Sequence, residues 1–338
     1  MSPAASHPAR PTDSVAAGSP RVAPLAGRTT TVRPAPRPRS RNIRKKVELA
    51  LLIGPALVLF VGFVLVPIVI AAQYSLYNWS GMTALSDFIG LHNYRAALDD
   101  PVFRGAVLHN FIYAALSVVF QLPIALGTAL LLNRKLRGQR IFRLLTFAPY
   151  VLSEATTAVI WLLMLQPGGF VDQLMQDIGL GGLVQTWLAN LHLVLYTLFV
   201  VITWKYIGFG IILFLAGLQG VPQELKEAAA LDGASPAQST RHVTVPLLGP
   251  TIRIWVFLAV IGSLQLFDLV WIMTEGGPAN ASTTMITYLI YNGFDSAEFG
   301  YGSAVAVILF MICFVFALIY QRFALRRDTA GALTSIVG

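Results

Sequence analysis

The four longest stretches of this chain without Asp, Glu, Lys or Arg are residues 49–86, 105–133, 178–204 and 299–321. An uncharged, predominantly apolar run of roughly 18 residues or more is long enough to cross a bilayer as a helix. Charged residues make up only 12% of the chain. An average soluble domain has about 25%, so the deficit lies in these runs. The sequence predicts an all-α, multi-pass membrane protein. Six spans are expected, at about 49–75, 106–132, 144–166, 191–218, 254–273 and 302–321. Glu154 interrupts the third and Asp268 the fifth.

Basic residues orient these spans. Ten Lys and Arg precede Val47, and Arg134, Lys135, Arg137, Arg140 and Arg143 follow the second span. Lys226, Arg241 and Arg253 follow the fourth, and Arg322, Arg326 and Arg327 the sixth. The opposite side holds only Arg95 and Arg104, while Lys205 lies inside the fourth span. Basic residues collect on the cytoplasmic side, so both termini are expected in the cytoplasm. The net charge of +8 is then mostly a topology signal, and no nucleic-acid partner is expected. The first apolar run far exceeds the roughly 7–15 residues of a signal-peptide core, so it reads as a retained span. Cys313 is the only cysteine. It excludes a disulfide within the chain and reads as packing within a span.

Residues 1–47 form an Arg/Pro-rich segment with almost no large apolar side chains through residue 41. Such a composition buries too little surface to fold, and a disordered tail is expected. Its basic clusters also suit anionic lipid. A short tail, 324–338, is expected at the other end. Between spans, residues 77–104 carry Tyr77, Trp79, Phe88, Tyr94 and Phe103, as a segment at the membrane interface would. Residues 167–190 are Gly-rich, with one amphipathic helix expected at about 171–178. Residues 275–300 open on Glu275-Gly276-Gly277-Pro278, a turn signal.

The sequence has no phosphate-binding GxxxxGK[ST] loop and no GxSxG turn. His92, His109, His192 and His242 are scattered rather than set at metal-ligand spacing. Neither catalysis nor a metal site is indicated.

The polar island at 221–236 is punctuated like a helix–turn–helix. Pro222 opens the first helix, where its missing N–H costs nothing. Gln223 to Leu231 are mostly good helix formers, and Glu224 and Glu227 favour the positive end of the helix dipole. Asp232-Gly233 closes it, since Gly accepts the left-handed conformation. Ser235-Pro236 starts the second helix as N-cap and first residue. Ala228, Ala229 and Ala230 leave a smooth patch with Glu227 at its edge. The connection, about 219–247, is far longer than the usual two to eight residues between helices.

Leu215-Ala216-Gly217-Leu218-Gln219, Val221-Pro222, Glu227-Ala228-Ala229, Asp232-Gly233-Ala234 and Val245-Pro246 together resemble the permease signature of binding-protein-dependent ABC importers. Phe267-Asp268, Thr274-Glu275-Gly276-Gly277-Pro278, Tyr291, Phe294 and Gly300-Tyr301-Gly302-Ser303-Ala304 are similar to the sugar-permease branch, in particular its maltose-type first subunit. The resemblance covers about 48–323 and implies a six-helix permease domain with the type I importer fold. The best-known maltose subunit carries two extra N-terminal spans and a large external domain that find no match here.

The resemblance implies that Glu227, Ala228, Ala229, Asp232 and Gly233 form the coupling element docked on an ATPase. It implies a second permease subunit, two ATP-binding cassette subunits and an external solute-binding protein as partners. ATP would be bound by the ATPase, and no cofactor by this chain. Ionisable residues inside spans are costly and default to functional roles; here they are Glu154, Lys205 and Asp268. The expected substrate pathway comprises Lys205, Tyr206, Phe209, Ser263, Gln265, Leu266, Phe267 and Asp268, which supply aromatic faces and polar groups for a saccharide. Helical spacing puts Ser263, Leu266, Phe267 and Val270 on one face and Asp268 roughly opposite. Lys205 either touches substrate or pairs internally with Glu154 or Asp268, and Asp268 either touches substrate or pairs with a neighbouring span. A neutral sugar suits the aromatics, and a polyol phosphate such as glycerol 3-phosphate suits Lys205. An ion-coupled secondary transporter is the competing class, but the sequence shows none of the repeated halves such folds usually have.

Overall fold

The computed structural model describes residues 40–133 and 138–325. Residues 1–39, Arg134, Lys135, Arg137 and everything from 326 onward lie outside them, so most of the two expected tails does too. The chain divides into two units, Met1–Val58 and Leu59–Gly338. The first contributes helix from Ser40 onward, including the start of the first long helix; the other features described below lie in the second.

In chain order the principal helices are α1 (Lys46–Tyr74), α2 (His92–Asp99), α3 (Pro101–Leu132), α4 (Gln139–Val151), α5 (Glu154–Leu165), α6 (Phe170–Asp177), α7 (Val194–Gln219), α8 (Gln223–Leu231), α9 (Pro236–Leu247), α10 (Gly249–Leu264), α11 (Asp268–Thr274), α12 (Met285–Leu289) and α13 (Phe299–Ala324). Among the described residues, α1, α3, α7 and α13 are each long and apolar enough to cross a membrane. The number rises to six if the bent pairs α4–α5 (99°) and α9–α10 (64°) each count as one span.

The helix α7 is the hub. Its side chains enter two buried clusters, one with Tyr113, Leu269 and Met273 and one with Ala125, Leu248 and Trp255. A third cluster joins Phe103, Leu264, Met285, Tyr288 and Val305. In a bilayer, helices associate through close packing rather than water exclusion, which favours small residues at contacts. On α7, a Cβ on Gly208 would lie 2.1 Å from the Thr146 carbonyl oxygen of α4. One on Gly217 would lie 2.6 Å from Thr251 Oγ1 of α10. The glycines thus set how near α4 and α10 approach.

Two spans depart from the expected straight helices. The third breaks after Val151. Ser153 leaves the helical region at φ −64°, ψ 155°, and its Oγ accepts the Thr156 N–H, so it starts α5 as an N-cap. The fifth breaks at 265–267, where the sequence holds neither Gly nor Pro. The cause is tertiary. Helix ends leave backbone carbonyls without partners, and Asn110 of α3 reaches across. Its Nδ2 donates to Ser263 O (2.7 Å) and Leu264 O (3.3 Å), while its Oδ1 accepts the Met285 N–H (2.9 Å). One buried amide thereby fixes the end of α10 and the start of α12.

A polar lock closes the same end of the molecule. Asp100 caps α3 through the N–H groups of Val102 and Phe103. Its other oxygen accepts the Tyr288 hydroxyl (2.8 Å). Burial, then the Tyr301 hydroxyl and Asp100, push the Tyr288 hydroxyl well above its ordinary pKa, so it stays a donor. The expected amphipathic helix is α6, over Phe170–Asp177.

Candidate functional site

Two constructions stand out. The first is the α8–α9 pair. Helix α8 has no buried residue. It ends as the punctuation predicts: Gly233 sits at φ +83°, its N–H bonds Ala230 O, and the Ala234 N–H bonds Ala229 O (2.9 Å). Those two bonds make the Schellman closure. Ser235 and Gln238 form a reciprocal capping box that starts α9, Ser235 N–H donating to Gln238 Oε1 at 2.8 Å. Val221 and Leu248, at either end of the pair, are buried in the cluster around Trp255. The pair is therefore rooted in the bundle, with Thr244 of α9 also buried, while α8 and the start of α9 bury no residue. Glu227, Ala228, Asp232 and Gly233 are exposed, Ala229 half-buried, and Leu231 is 90% exposed.

The second is a cavity of about 410 Å³ walled by α3, α4, α5, α7, α10 and the 265–267 break. The structure brings Tyr206, Phe209, Ser263, Gln265, Leu266, Phe267 and Asp268 together on its wall. Lys205 is not on it. Its Nζ donates to Leu152 O at 2.6 Å, tying α7 to the bend between α4 and α5. Asp268 does not sit opposite Ser263, Leu266 and Phe267 as one continuous helix would place it. The break turns it into the cavity, while Val270 is fully buried in the core. The internal pairing is carboxyl to carboxyl: Glu154 and Asp268 lie side by side, and the Tyr206 hydroxyl donates to Glu154 Oε1.

Sequence reasoning missed Tyr113, Ser117, Gln121, Tyr150 and Trp255 as lining residues. Tyr150 stacks on Phe209 with ring centroids 5.2 Å apart, forming an aromatic face. Ser117 and Gln121 bound a π-helical turn of α3 that precedes Pro123. Proline lacks the N–H of a regular ladder, and a widened turn before it is a signal for a functional position. Among the described residues, no group of three His, Cys, Asp or Glu converges as metal ligands do.

The bundle thus combines a broken-span cavity with a capped helix pair on its surface. Residues 121–329 match the binding-protein-dependent transport system inner membrane component family, and the chain belongs to it. Members are non-catalytic transport components of ABC importers. The chain is 35% identical over 257 residues to the multiple sugar-binding transport system permease protein MsmF of Streptococcus mutans, covering 76% of this chain and 88% of that one. It is 30% identical over 280 residues to the trehalose/maltose transport system permease protein MalF of Thermococcus litoralis, covering 82% and 94%. A chain of a bacterial ABC transporter that imports the acidic polysaccharide alginate shares the fold, with a TM-score of 0.74 at 20% identity, over 85% of this chain and 98% of that one.

Proposed function

We propose that this chain is one of two permease subunits of an ATP-driven importer of a sugar or oligosaccharide. It has six spans, with the bent α4–α5 pair as the third, and both termini in the cytoplasm. The cavity is half of the translocation path. Its aromatic face suits the apolar side of a sugar ring, and its hydroxyl, amide and carboxyl groups suit ring hydroxyls. Lys205 acts internally in this reading, holding the bend that carries Glu154 into the wall.

The observation that carries the reading is the α8–α9 pair. It is rigidly capped, rooted by Val221 and Leu248, and without a buried residue in α8 or the first turn of α9. Such an element transmits force only if something binds it. The partner is a cytoplasmic ATPase of the ATP-binding cassette class, which binds the ATP and receives Glu227, Ala228, Ala229, Asp232 and Gly233 in a groove. An external solute-binding protein delivers cargo to the loops at 77–104, 167–190 and 275–300.

Sugar uptake by cells carrying Glu227→Lys or Gly233→Asp tests this. Both variants are expected to insert normally and to lose uptake by roughly tenfold or more, within the usual range of coupling energies. A Cβ on Gly233 meets nothing within 4 Å, so Gly233→Asp acts through the positive φ and the added charge. Wild-type uptake by both variants sinks the coupling assignment.

A further inference from the structure

The cavity wall has a charge pattern that a generic sugar path does not require. Glu154 and Asp268 present adjoining carboxyl groups, while no Lys, Arg or His lines the cavity among the described residues. The ammonium of Lys205 is held behind the wall by Leu152 O. The lined surface therefore presents carboxyl groups and no basic side chain.

Tyr113 provides a second, independent observation. Its side chain is 1% exposed, its hydroxyl has no hydrogen-bond partner, and it lines the same cavity. A buried hydroxyl left without a partner is costly. A polar ligand in the cavity relieves that cost.

Resting on the reading of this cavity as the cargo path, we propose that Glu154 and Asp268 select cargo by charge. The cavity takes an uncharged, polyhydroxylated saccharide and rejects saccharides bearing carboxylate, phosphate or sulfate. Two carboxyl groups this close do not both ionise, so the pair holds one negative charge; its free oxygens accept hydrogen bonds from sugar hydroxyls, which are donors. The Tyr113 hydroxyl donates to a ring or hydroxyl oxygen, and the stacked Tyr150–Phe209 pair covers an apolar ring face. An anionic sugar instead meets like charge in a partly apolar cavity with no cation on the wall, where Coulomb repulsion is strong. Rejection by repulsion is a common route to specificity. The fold itself does not set this preference, since a chain of the same fold serves an importer of an acidic polysaccharide. The choice lies in side chains. It also argues against the polyol phosphate suggested by Lys205.

The test uses the purified importer, both permease subunits with the ATPase, without the solute-binding protein so that its own selectivity is not measured. Binding of maltose, trehalose and cellobiose, and of their 6-phosphate and uronate counterparts, is followed by calorimetry. At least one neutral disaccharide is expected to bind roughly 100-fold or more tighter than its anionic counterparts, as a like-charge penalty of several kcal/mol implies. E154Q/D268N is expected to shrink that ratio by about tenfold or more, whereas D268E preserves it. An anionic disaccharide binding as tightly as its parent overturns the proposal. So does binding of no neutral disaccharide, or an unchanged ratio in the double variant. The wild-type ratio decides even if the double variant fails to assemble. Co-purification of the ATPase reports separately on the importer assignment: its loss defeats that reading, whereas an inverted ratio with the ATPase bound defeats only the charge selection.

Discussion

The α8–α9 pair and the cavity at the 265–267 break are built on opposite principles. The pair is local. Its start, stop and turn depend on residues within five positions of one another: Ala229 with Ala234, Ala230 with Gly233, Ser235 with Gln238. The cavity is assembled at long range. Asn110 serves carbonyls 153 and 154 residues away and an N–H 175 residues away, and Lys205 serves one 53 residues back. A locally determined element keeps its shape while its surroundings rearrange, which suits a handle. A cavity whose shape depends on several helices changes when any one of them moves, which suits a path that must open on alternating sides.

That contrast is sharpest at Gly208. The Cβ of Gly208→Val would collide with the Thr146 carbonyl, which is backbone and cannot swing away. The variant is expected to separate α4 from α7, at a cost of about 3 kcal/mol or more, the upper range for overpacking. Its readout is a large drop in the melting temperature of the detergent-solubilised protein, together with loss of binding in the cavity. An unchanged melting temperature would mean that the close approach of α4 and α7 is not what holds the cavity wall.

A smaller but still global effect is expected of Asn110→Leu. It leaves the carbonyls of Ser263 and Leu264 and the Met285 N–H without the side chain that bonds them. Each buried group left unsatisfied costs about 1–3 kcal/mol, reduced where a regular helix reforms through 265–267. A helix reformed through 265–267 turns Asp268 away from the cavity, so cargo binding falls even where the protein stays folded. Cysteine labelling at position 268 measures this. Accessibility equal to that in the parent background shows that the break survives without Asn110.

The same contrast explains what was legible in the sequence. Span positions, basic-residue distribution and the punctuation of α8–α9 are one-dimensional signals, and they place Glu227, Ala229 and Gly233 on a capped helix and its turn. Tyr206, Phe209, Ser263 and Asp268 were found because aromatic and polar groups are conspicuous in apolar spans. The face assignment of Asp268 failed because periodicity assumes an unbroken helix, and only Asn110 from a distant span ends α10. Lys205 was conspicuous for the same reason as Asp268, yet its partner is a main-chain carbonyl, and carbonyls have no sequence signature. Tyr113 and Trp255 looked like ordinary apolar filling. Of the missed residues, Ser117 and Gln121 were the most discoverable, two polar groups one helical turn apart just before a proline.

The smallest expected effect tests whether the pair is truly independent of the bundle. Ser235→Ala removes the oxygen that accepts the Gln238 N–H and half of the capping box, a loss of about 1 kcal/mol. Because α8 and the start of α9 bury no residue, that loss should stay local. Amide exchange over 237–240 is expected to quicken by roughly fivefold, the equilibrium factor for about 1 kcal/mol. The melting temperature of the bundle and the exchange of α7 and α10 should not move. Val221 and Leu248 make this a demanding test, since they are buried on either side of the turn and both pack in the cluster around Trp255. If weakening a cap thirteen residues before Leu248 loosens α10, strain in the handle reaches the cavity wall at Trp255 even without a bound motor. The two regions would then be one mechanical unit. If exchange changes only within 237–240, the handle is an independently folded lever, and its motion reaches the cavity only when an ATPase grips it.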